Sequence, residues 1–444
     1  MHMFAAVRRA ILALLPANDP IRDRNVALLF GAQGISSLGS QVSHVAFPLI
    51  AVDVIRASNG AIALMEAAFL LPFVLFGLPV GTLVDRRSRR PVMVAMDLVR
   101  MGALLIIPIA AAFGTLQMSL LYVVLFVVGS GTLIYDVASQ SYLPSLLRGD
   151  GLAKANGRFM VIESTAGVVG PSIAGVAVGR LGGPIAIVVD SISYLVSAVM
   201  LRSVRHREAS TAKIVLSANT KTSQLRGFVS EMREGLRWVL THPHLRGNAA
   251  AALLFNFFGG IASGPLLIAY ARRELHLPAE AIGVILGGGI VGLVVGSVVA
   301  GSIAKRIGVG RTIIVGGFIL PTMPLGFALI DASMGVPAII LIAVLVQVVA
   351  FFGAALFHVN QVTYRQLVTP QRLLGRMNAS MKWLMLLGMP LGAVVGSIIA
   401  EGAGLRTVLF AGAAGVVIAP IPLLFSGIAS VTDQPHGHHE LEEE

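Results

Sequence analysis

The sequence is poor in the residues on which soluble proteins depend. It has no cysteine among 444 residues, which excludes disulfides, thiolate metal sites and cysteine nucleophiles. Only 12% of the residues are charged, whereas soluble proteins have about 25%. Aromatic residues are few, at 6%, so no large aromatic cage can be argued for a ligand. Because 56% of the residues are hydrophobic, this composition excludes a cytosolic enzyme and a disordered chain.

Long apolar stretches are what the chain has instead. The mean hydropathy is +0.84, and a transmembrane helix needs about 20 apolar residues. Backbone polar groups in lipid are satisfied inside helices, so the predicted fold class is an all-α polytopic membrane protein with twelve spans. The spans are predicted at about 26–50, 61–84, 91–113, 117–139, 156–179, 184–204, 248–270, 280–304, 311–330, 336–357, 378–401 and 405–428.

Basic residues orient the predicted bundle. Lys and Arg concentrate in alternate loops and in the long central connection. The opposite loops hold only Arg56, Arg180, Arg272, Arg273 and Arg406. Because cytoplasmic loops carry the excess of Lys and Arg, both termini are predicted to be cytoplasmic. The net charge of +11 is therefore a topology signal, and no nucleic-acid partner is expected.

The chain repeats itself after about 220 residues. Segment 152–156 recurs as 374–378, and Tyr142 matches Tyr364 at the same offset of 222. Two pseudo-symmetric six-helix bundles in parallel orientation are therefore predicted. The predicted division is an N-terminal cytoplasmic segment at 1–25, a first six-helix bundle at 26–204, a cytoplasmic central loop at 205–247, a second bundle at 248–428 and a cytoplasmic acidic, His-containing tail at 429–444.

This duplication favours a secondary active transporter. Two equivalent bundles can rock about a shared cavity near the bilayer midplane, which exposes a substrate to one side at a time. A channel does not need the duplication, and a membrane enzyme would need a catalytic constellation. The sequence contains no P-loop, GxSxG or HExxH pattern and no paired metal-ligand spacing. No catalytic residues, no enzyme activity and no metal site are predicted.

The loop after the second predicted span carries a family motif. Residues 81–90 read Gly-Thr-Leu-Val-Asp-Arg-Arg-Ser-Arg-Arg and resemble the G-x-L-x-D-R-x-G-R-R/K loop of the major facilitator superfamily, with Ser88 in place of the second glycine. The resemblance implies that this loop gates the change of state, the alternative being a structural anchor. The gating residues that it implies are Gly81, Asp85, Arg86, Arg89 and Arg90.

The fifth predicted span carries a second motif. Gly167, Gly170, Pro171 and Gly175 form a pattern similar to the G-P-x-x-x-G antiporter motif of the same superfamily. Gly and Pro permit a kink and close packing, so the segment is expected to seal against the other half. Together with segments 97–100, 135–144 and 234–246, the motifs resemble the transmembrane secretion effector branch, which includes enterobactin exporters and macrolide efflux proteins.

Ionisable residues inside the spans are candidates for function, because they are costly in lipid. Asp97 and Arg100 share a helix face and, with Asp136, predict a structural ion network. Glu163 has no cation nearby in its own helix, so burial would favour its protonated form; it is the first candidate for proton coupling. Asp136 and two acids predicted nearer the outer ends of their spans, Glu66 and Asp190, are the other candidates.

Polar residues in the spans are candidates for the substrate cavity, the alternative being contacts between helices. They are Gln33, Gln41, His44, Asn256, Gln347, His358, Asn360 and Gln361. Segment 224–240 is predicted to be an amphipathic helix on the inner leaflet, with Phe228, Met232, Leu236 and Val239 on one face. The tail with His436, His438 and His439 is predicted to be a solvated end rather than a metal site.

The resulting functional prediction is proton-coupled export of amphipathic small molecules such as drugs, antibiotics or siderophores. The expected partners are a small-molecule substrate, protons and the lipid bilayer, with the proton gradient as energy source and no other cofactor. The chain is expected to act as a monomer in the bacterial cytoplasmic membrane. An uptake carrier, a lipid or lysolipid flipping carrier of the same fold, and a non-transport scaffold are the alternatives.

Overall fold

A computed structural model describes residues 20–85, 87–147, 150–205, 233–262 and 264–431. These residues form twelve helical spans long and apolar enough to cross a membrane, and no strand, which confirms the predicted fold class. The first half comprises span 1 (Arg24–Leu49, with a π-helical turn Ile50–Val54), span 2 (Asn59–Asp85), span 3 (Arg89–Ala112), span 4 (Met118–Leu146), span 5 (Asp150–Leu181) and span 6 (Gly183–Arg202).

The second half contains more broken spans than the first. Its helices are span 7 (Pro243–Ala262 and Pro265–Arg273), span 8 (Ala279–Gly288 and Ile290–Ile307), span 9 (Val309–Ile319 and Thr322–Leu329), span 10 (Val336–Leu367), span 11 (Gln371–Ala403) and span 12 (Leu405–Ile418 and Ile421–Phe425). The breaks coincide with residues that interrupt helices, such as Gly264-Pro265 in span 7 and Pro321 in span 9.

The same helix pairs pack together in both halves, as the sequence repeat predicts. Span 1 packs on spans 5 and 6, and span 7 correspondingly packs on spans 11 and 12. Span 4 packs on spans 2 and 3, and span 10 likewise packs on spans 8 and 9. Across the halves, span 2 packs on span 11 and span 5 packs on span 8. The fold is therefore one six-helix arrangement used twice and joined along two seams.

Several helices extend beyond the stretches that hydropathy predicts. Span 4 continues to Leu146, span 5 begins at Asp150, and span 10 continues to Leu367. All of these extensions lie at the end of the bundle that carries Arg89, Arg306 and Arg372, which we name the arginine-rich end. The extensions are polar, so a hydropathy pattern that senses only the apolar core of the membrane misses them.

The central connection packs against protein. Of the predicted amphipathic segment 224–240, residues 224–232 lie outside the described part of the chain, including Phe228 and Met232. Residues 233–241 form a helix in which Val239 is fully buried. Val239 packs in one apolar cluster with Met377 and Met381 of span 11. The apolar face of this part therefore contacts the second half, and the prediction that it lies on the leaflet was wrong for these residues.

Candidate functional site

The two halves enclose a cavity of about 480 Å³, which we name the central cavity. Ligand sites for small molecules occupy about 300–1,000 Å³, so its size suits such a cargo. Its polar lining includes Ser40, Gln41, Ser43, His44, Glu66, Thr132, Asp190 and Tyr194 from the first half and Gln347 from the second. Its apolar lining includes Phe47, Met65, Phe69, Leu125, Leu267, Ile268, Leu286, Met323 and Phe351.

The chemistry of the lining differs between the halves. The carboxylates and the imidazole come from spans 1, 2 and 6, whereas the second half contributes apolar side chains and the amide of Gln347. The charged groups of the cavity therefore belong to the first half, whereas both halves contribute apolar lining. An amphipathic molecule suits such a cavity, because it buries its apolar part without leaving the polar groups unpaired.

Glu66 lies opposite the break in span 7. A β-carbon built on Gly264 would lie 2.9 Å from the Glu66 Oε2 atom. Gly264 adopts φ 58° and ψ −123°, a conformation that suits glycine, and the helix Pro265–Arg273 begins directly after it. The carboxylate therefore faces the N-terminal end of a half-helix, where the helix dipole favours negative charge. The dipeptide Gly264-Pro265 inside a predicted span was the sequence signal for this arrangement.

Asp190 joins spans 1 and 6 at the edge of the central cavity. Its carboxylate is buried and accepts hydrogen bonds from the Ser43 hydroxyl and, at 3.0 Å, from Ser193 Oγ. His44, also on span 1, contacts the edge of Phe69 with ring centroids 5.8 Å apart. Glu66 and Asp190 thus both reach the central cavity, and each lies closer to the first residue of its span than to the last, as expected from the sequence.

Glu163 is more exposed than its candidacy for proton coupling assumed. Its side chain is exposed and accepts hydrogen bonds from Gln33 Nε2 and Ser37 Oγ, each at 2.7 Å. The burial on which its candidacy relied is therefore missing in this state. Asp136 is half-buried and lies within electrostatic range of Arg100, Glu163 and Lys382, the last of which belongs to the second half.

Asp97 and Arg100 form a buried ion pair inside the first half. Arg100 Nη2 and Asp97 Oδ1 are 2.5 Å apart, and Ser197 Oγ donates to the other carboxylate oxygen at 2.7 Å. The guanidinium lies over the rings of Tyr135 and Tyr194, 4.5 and 4.2 Å from their centroids. This network ties spans 3, 4 and 6 together and lies outside the lining of the central cavity, apart from Tyr194.

At the end opposite the arginine-rich end, polar contacts join the two halves; we name it the sealed end. Arg272 of span 7 binds Asp53 of span 1, with Nε 3.0 Å from Oδ1. Arg273 donates to the Asn59 side chain and to the Ala57 carbonyl, each at 2.5 Å. These residues were missed in the sequence, where the two arginines were read only as topology markers.

The antiporter-like segment of span 5 lies at the seam where span 5 packs on span 8. A β-carbon on Gly175 would lie 2.9 Å from the α-carbon of Gly283 in span 8, and one on Gly170 would collide with the side chain of Gln41. The remaining motif glycine, Gly167, has more room, with Ile290 as its nearest neighbour. Span 5 therefore meets the second half through glycine, as expected for a segment that seals.

Comparison with known proteins identifies the family. The family model for transmembrane secretion effectors matches residues 15–440. The chain belongs to that family, a branch of the major facilitator superfamily. It is accordingly a multi-pass membrane transporter, and the resemblance drawn from the motifs is confirmed.

Curated relatives of this transmembrane secretion effector are distant in sequence. YkuC of Bacillus subtilis, an uncharacterized MFS-type transporter, is 27% identical over 65% of this chain and 67% of its own length. The multidrug efflux pump Tap of Mycobacterium tuberculosis is 25% identical over 91% of this chain and 92% of its own. Macrolide efflux protein A of Streptococcus pyogenes is 26% identical, but the alignment spans about half of each protein, 47% and 49%.

Solved structures show the same fold at low identity. The nucleoside transporter NupG superposes with a TM-score of 0.67 at 11% identity, over 90% of this chain and 98% of that one. A bacterial homologue of the iron transporter ferroportin in an inward-facing state superposes with a TM-score of 0.68 at 18% identity, over 92% and 99%. At such identities the likeness concerns the fold alone.

The loop motif of this transmembrane secretion effector is described in part. Span 2 ends at Asp85, whose side chain lies outside the described part of the chain together with all of Arg86. Gly81 lies in the last turns of span 2, and Arg89 begins span 3. Arg90 donates to the backbone carbonyl of Val204, which ties the loop to the end of span 6.

Most of the polar residues predicted to line the substrate cavity lie apart from the central cavity in this transmembrane secretion effector. The side-chain amide of Asn256 donates to Ala252 O and that of Asn360 to Leu356 O, each within its own helix. Gln361 donates to Asn248, and His358 lies near Arg365 at the arginine-rich end. Of the eight candidates, Gln41, His44 and Gln347 line the cavity. The predicted His-containing tail lies outside the described residues.

Proposed function

We propose that the protein exports amphipathic small molecules, such as antibiotics or siderophores, in exchange for protons by alternating access. The observation that carries this proposal is the central cavity, in which Glu66, His44 and Asp190 of the first half lie among apolar side chains from both halves. A carboxylate in a substrate cavity can hold either a proton or a share of the cargo's polar contacts, and such competition couples the two movements.

Glu66 is the residue that we propose to carry the proton. It faces both the cavity and the half-helix at Gly264, so a movement of span 7 during the change of state changes its surroundings directly. Asp190, in contrast, is held by two serine hydroxyls from spans 1 and 6, so its hydrogen bonds lie wholly within the first half. Glu163 and Asp136 lie outside the lining of the central cavity, nearer the arginine-rich end.

The direction and the orientation are also proposals. By the positive-inside rule, we place the loops of the arginine-rich end in the cytoplasm of a bacterial cell. Both termini then lie on that side. The sealed end then faces outward, so the cavity is shut from the outside. Export is supported by relatives that are named efflux pumps, Tap and macrolide efflux protein A. One chain contains both halves, so we propose that a monomer is the working unit.

The proposal can be tested by driven transport and counterflow measured on the same vesicles. Everted vesicles would be energised with a proton gradient, and the accumulation of radiolabelled erythromycin and of ethidium would be followed with and without a protonophore. We expect gradient-driven accumulation by the wild type. Glu66→Gln should lose it yet keep exchange of labelled for unlabelled cargo, because exchange needs no net proton movement.

Glu163→Gln serves as the matched control, since it removes a carboxylate outside the central cavity. We expect this variant to keep both activities. If Glu163→Gln lost driven transport while Glu66→Gln kept it, Glu163 and not Glu66 would carry the coupling proton. Accumulation by intact cells instead of everted vesicles would indicate an uptake carrier, and unaltered transport after collapse of the gradient would contradict proton coupling.

A further inference from the structure

Buried hydrogen-bond donors gather inside the second half at the arginine-rich end. Arg365 of span 10 is 8% exposed, and Asn248 of span 7 and Gln361 of span 10 are fully buried. Within the described part of the chain, the Nε and Nη1 atoms of Arg365 and the Nδ2 atom of Asn248 have no hydrogen-bond partner. These groups lie outside the lining of the central cavity and take no part in the transport proposal.

Spans 7 and 10 bring these donors together. The side-chain amide of Gln361 donates to Asn248 Oδ1, one helical turn before Arg365. His244, one turn before Asn248, stacks on Tyr364 with ring centroids 6.0 Å apart and planes 30° from parallel. Tyr364 directly precedes Arg365 in the sequence. Asn248 therefore lies opposite Gln361, and His244 lies opposite Tyr364, so that Asn248 and Arg365 are about one helical turn apart along the face where spans 7 and 10 pack.

The helix of the central connection borders the same region. The ring of Trp238 lies 6.1 Å from that of His242, which in turn lies 5.7 Å from His244. Among the described residues, the indole nitrogen of Trp238 and the Nδ1 atoms of both histidines are also buried without a partner. The Trp238 N–H adds a donor from the connection to those of spans 7 and 10, Gln361 Oε1 is an unpaired acceptor, and each Nδ1 atom donates or accepts according to its tautomer.

The charge of Arg365 is not balanced by a carboxylate in the part of the chain that the structure describes. Glu234, on the helix of the central connection, is already bound by Arg372 and Arg376. A basic residue in the last turn of a helix gains from the helix dipole, which explains why an arginine is tolerated there. The dipole does not pair the buried N–H groups, which destabilise the fold when they are left unsatisfied.

The depth of Arg365 indicates what supplies the missing acceptors. Span 10 starts at Val336, so Arg365 lies about 44 Å along the helix at 1.5 Å per residue. The hydrocarbon core is about 30 Å thick, so Arg365 lies at the level of the lipid headgroups. We propose that Arg365 and Asn248 form an anion site that binds a phosphate group, either that of an anionic lipid headgroup or free phosphate. Arginine binds phosphate through two parallel hydrogen bonds, and the amide of Asn248 adds a third donor.

The site is tested by thermal unfolding of the purified full chain in an uncharged detergent. The probes are dihexanoyl phosphatidylglycerol, dihexanoyl phosphatidylcholine and inorganic phosphate, the last against sodium chloride of equal ionic strength. We expect phosphatidylglycerol or phosphate to raise the unfolding temperature in a saturable way. A rise with phosphatidylglycerol alone identifies a lipid headgroup, and a rise with inorganic phosphate identifies the free anion.

Arg365→Gln should raise the half-saturating concentration at least tenfold, while Arg372→Gln should leave it unchanged, because the Arg372 side chain is 74% exposed and already bound to Glu234. Without added anion, Arg365→Gln should unfold at the wild-type temperature or above it, since it removes an unbalanced charge. Should Arg365→Gln not fold, Arg365→Lys keeps the charge without the paired geometry and should show intermediate weakening. No saturable rise in the wild type, or an equal rise in the Arg365 variants, would overturn the proposal.

Discussion

Gly175 and Gly283 face each other across the two halves so closely that a β-carbon on either would lie 2.9 Å from the α-carbon of the other. A β-carbon on Gly283 would also lie 2.4 Å from the Pro171 carbonyl oxygen, which is backbone and cannot rotate away. Spans 5 and 8 therefore reach this separation only without side chains at the contact. Because the contact lies at the seam between the halves, it sets how tightly the sealed end can close.

We expect the methyl group of Gly283→Ala to prevent the sealed end from closing fully. Overpacking of this kind costs about 1–3 kcal/mol, which shifts the balance between states by roughly 5- to 150-fold. The chain has no cysteine, so Leu49→Cys, at a position 2% exposed, gives a single reporter for a membrane-impermeant maleimide. We expect faster labelling and slower transport in Gly283→Ala. Gly301→Ala, in the same span but with open space around it, should match the wild type.

The polar contacts at the sealed end should contribute unequally to the stability of the closed state. The Asp53–Arg272 pair is 42% and 35% exposed, and exposed pairs contribute about 0.2–1 kcal/mol. Arg273 makes two contacts with the other half, to Asn59 and to Ala57 O. Labelling of Leu49→Cys should therefore accelerate more with Arg273→Ala than with Asp53→Asn. The reverse order would mean that the ion pair, and not the neutral contacts, holds this end shut.

Asp97→Asn should destabilise the first half strongly. The carboxylate is fully buried, and its removal leaves Arg100 as an unpaired buried charge, which costs about 3–5 kcal/mol. Replacing both partners, as in Asp97→Leu with Arg100→Met, should cost less, because no charge then remains. The unfolding temperatures of the single and double variants in detergent measure this difference. A single variant as stable as the wild type would show that the two tyrosine rings alone can support the guanidinium.

The twelve spans and the two halves were predictable because each depends on a signal that is local or repeated. Apolar runs mark the spans wherever lipid surrounds them, and matches such as Tyr142 with Tyr364 reveal the duplication without any knowledge of packing. The polar helix extensions were not predictable in the same way. Asp150 and Leu367 lie outside the apolar core, where hydropathy no longer distinguishes a helix from a loop.

The central cavity was predictable only in part. Gln41, His44 and Gln347 line it as expected, but Asn360 and Gln361 lie about 20 Å beyond Gln347 along span 10, towards the arginine-rich end. A sequence shows that a residue is polar and lies in a span, but not how deep the cavity reaches or which helix faces line it. Glu66 and Glu163 show this limit, since both are single acids in apolar helices and only packing places Glu66 at the cavity.

The contact between Gly264 and Glu66 leads to a prediction that separates strain from proximity. Gly264→Ala introduces a residue at φ 58°, which costs about 1–3 kcal/mol in the backbone, and places a methyl group 2.9 Å from the Glu66 carboxylate. We expect gradient-driven transport to fall at least tenfold, whereas Gly259→Ala, with open space around it in the same span, should change it less than twofold.

In a Glu66→Ala background the methyl group at position 264 meets no carboxylate, so only the backbone strain remains. The effect of Gly264→Ala on counterflow should therefore be smaller there than in the wild type, and the difference measures the coupling between the two residues. Equal effects in both backgrounds would mean that Gly264 matters only for the shape of span 7. Since counterflow does not require net proton movement, this comparison can be made even though we expect Glu66→Ala, like Glu66→Gln, to lose driven transport.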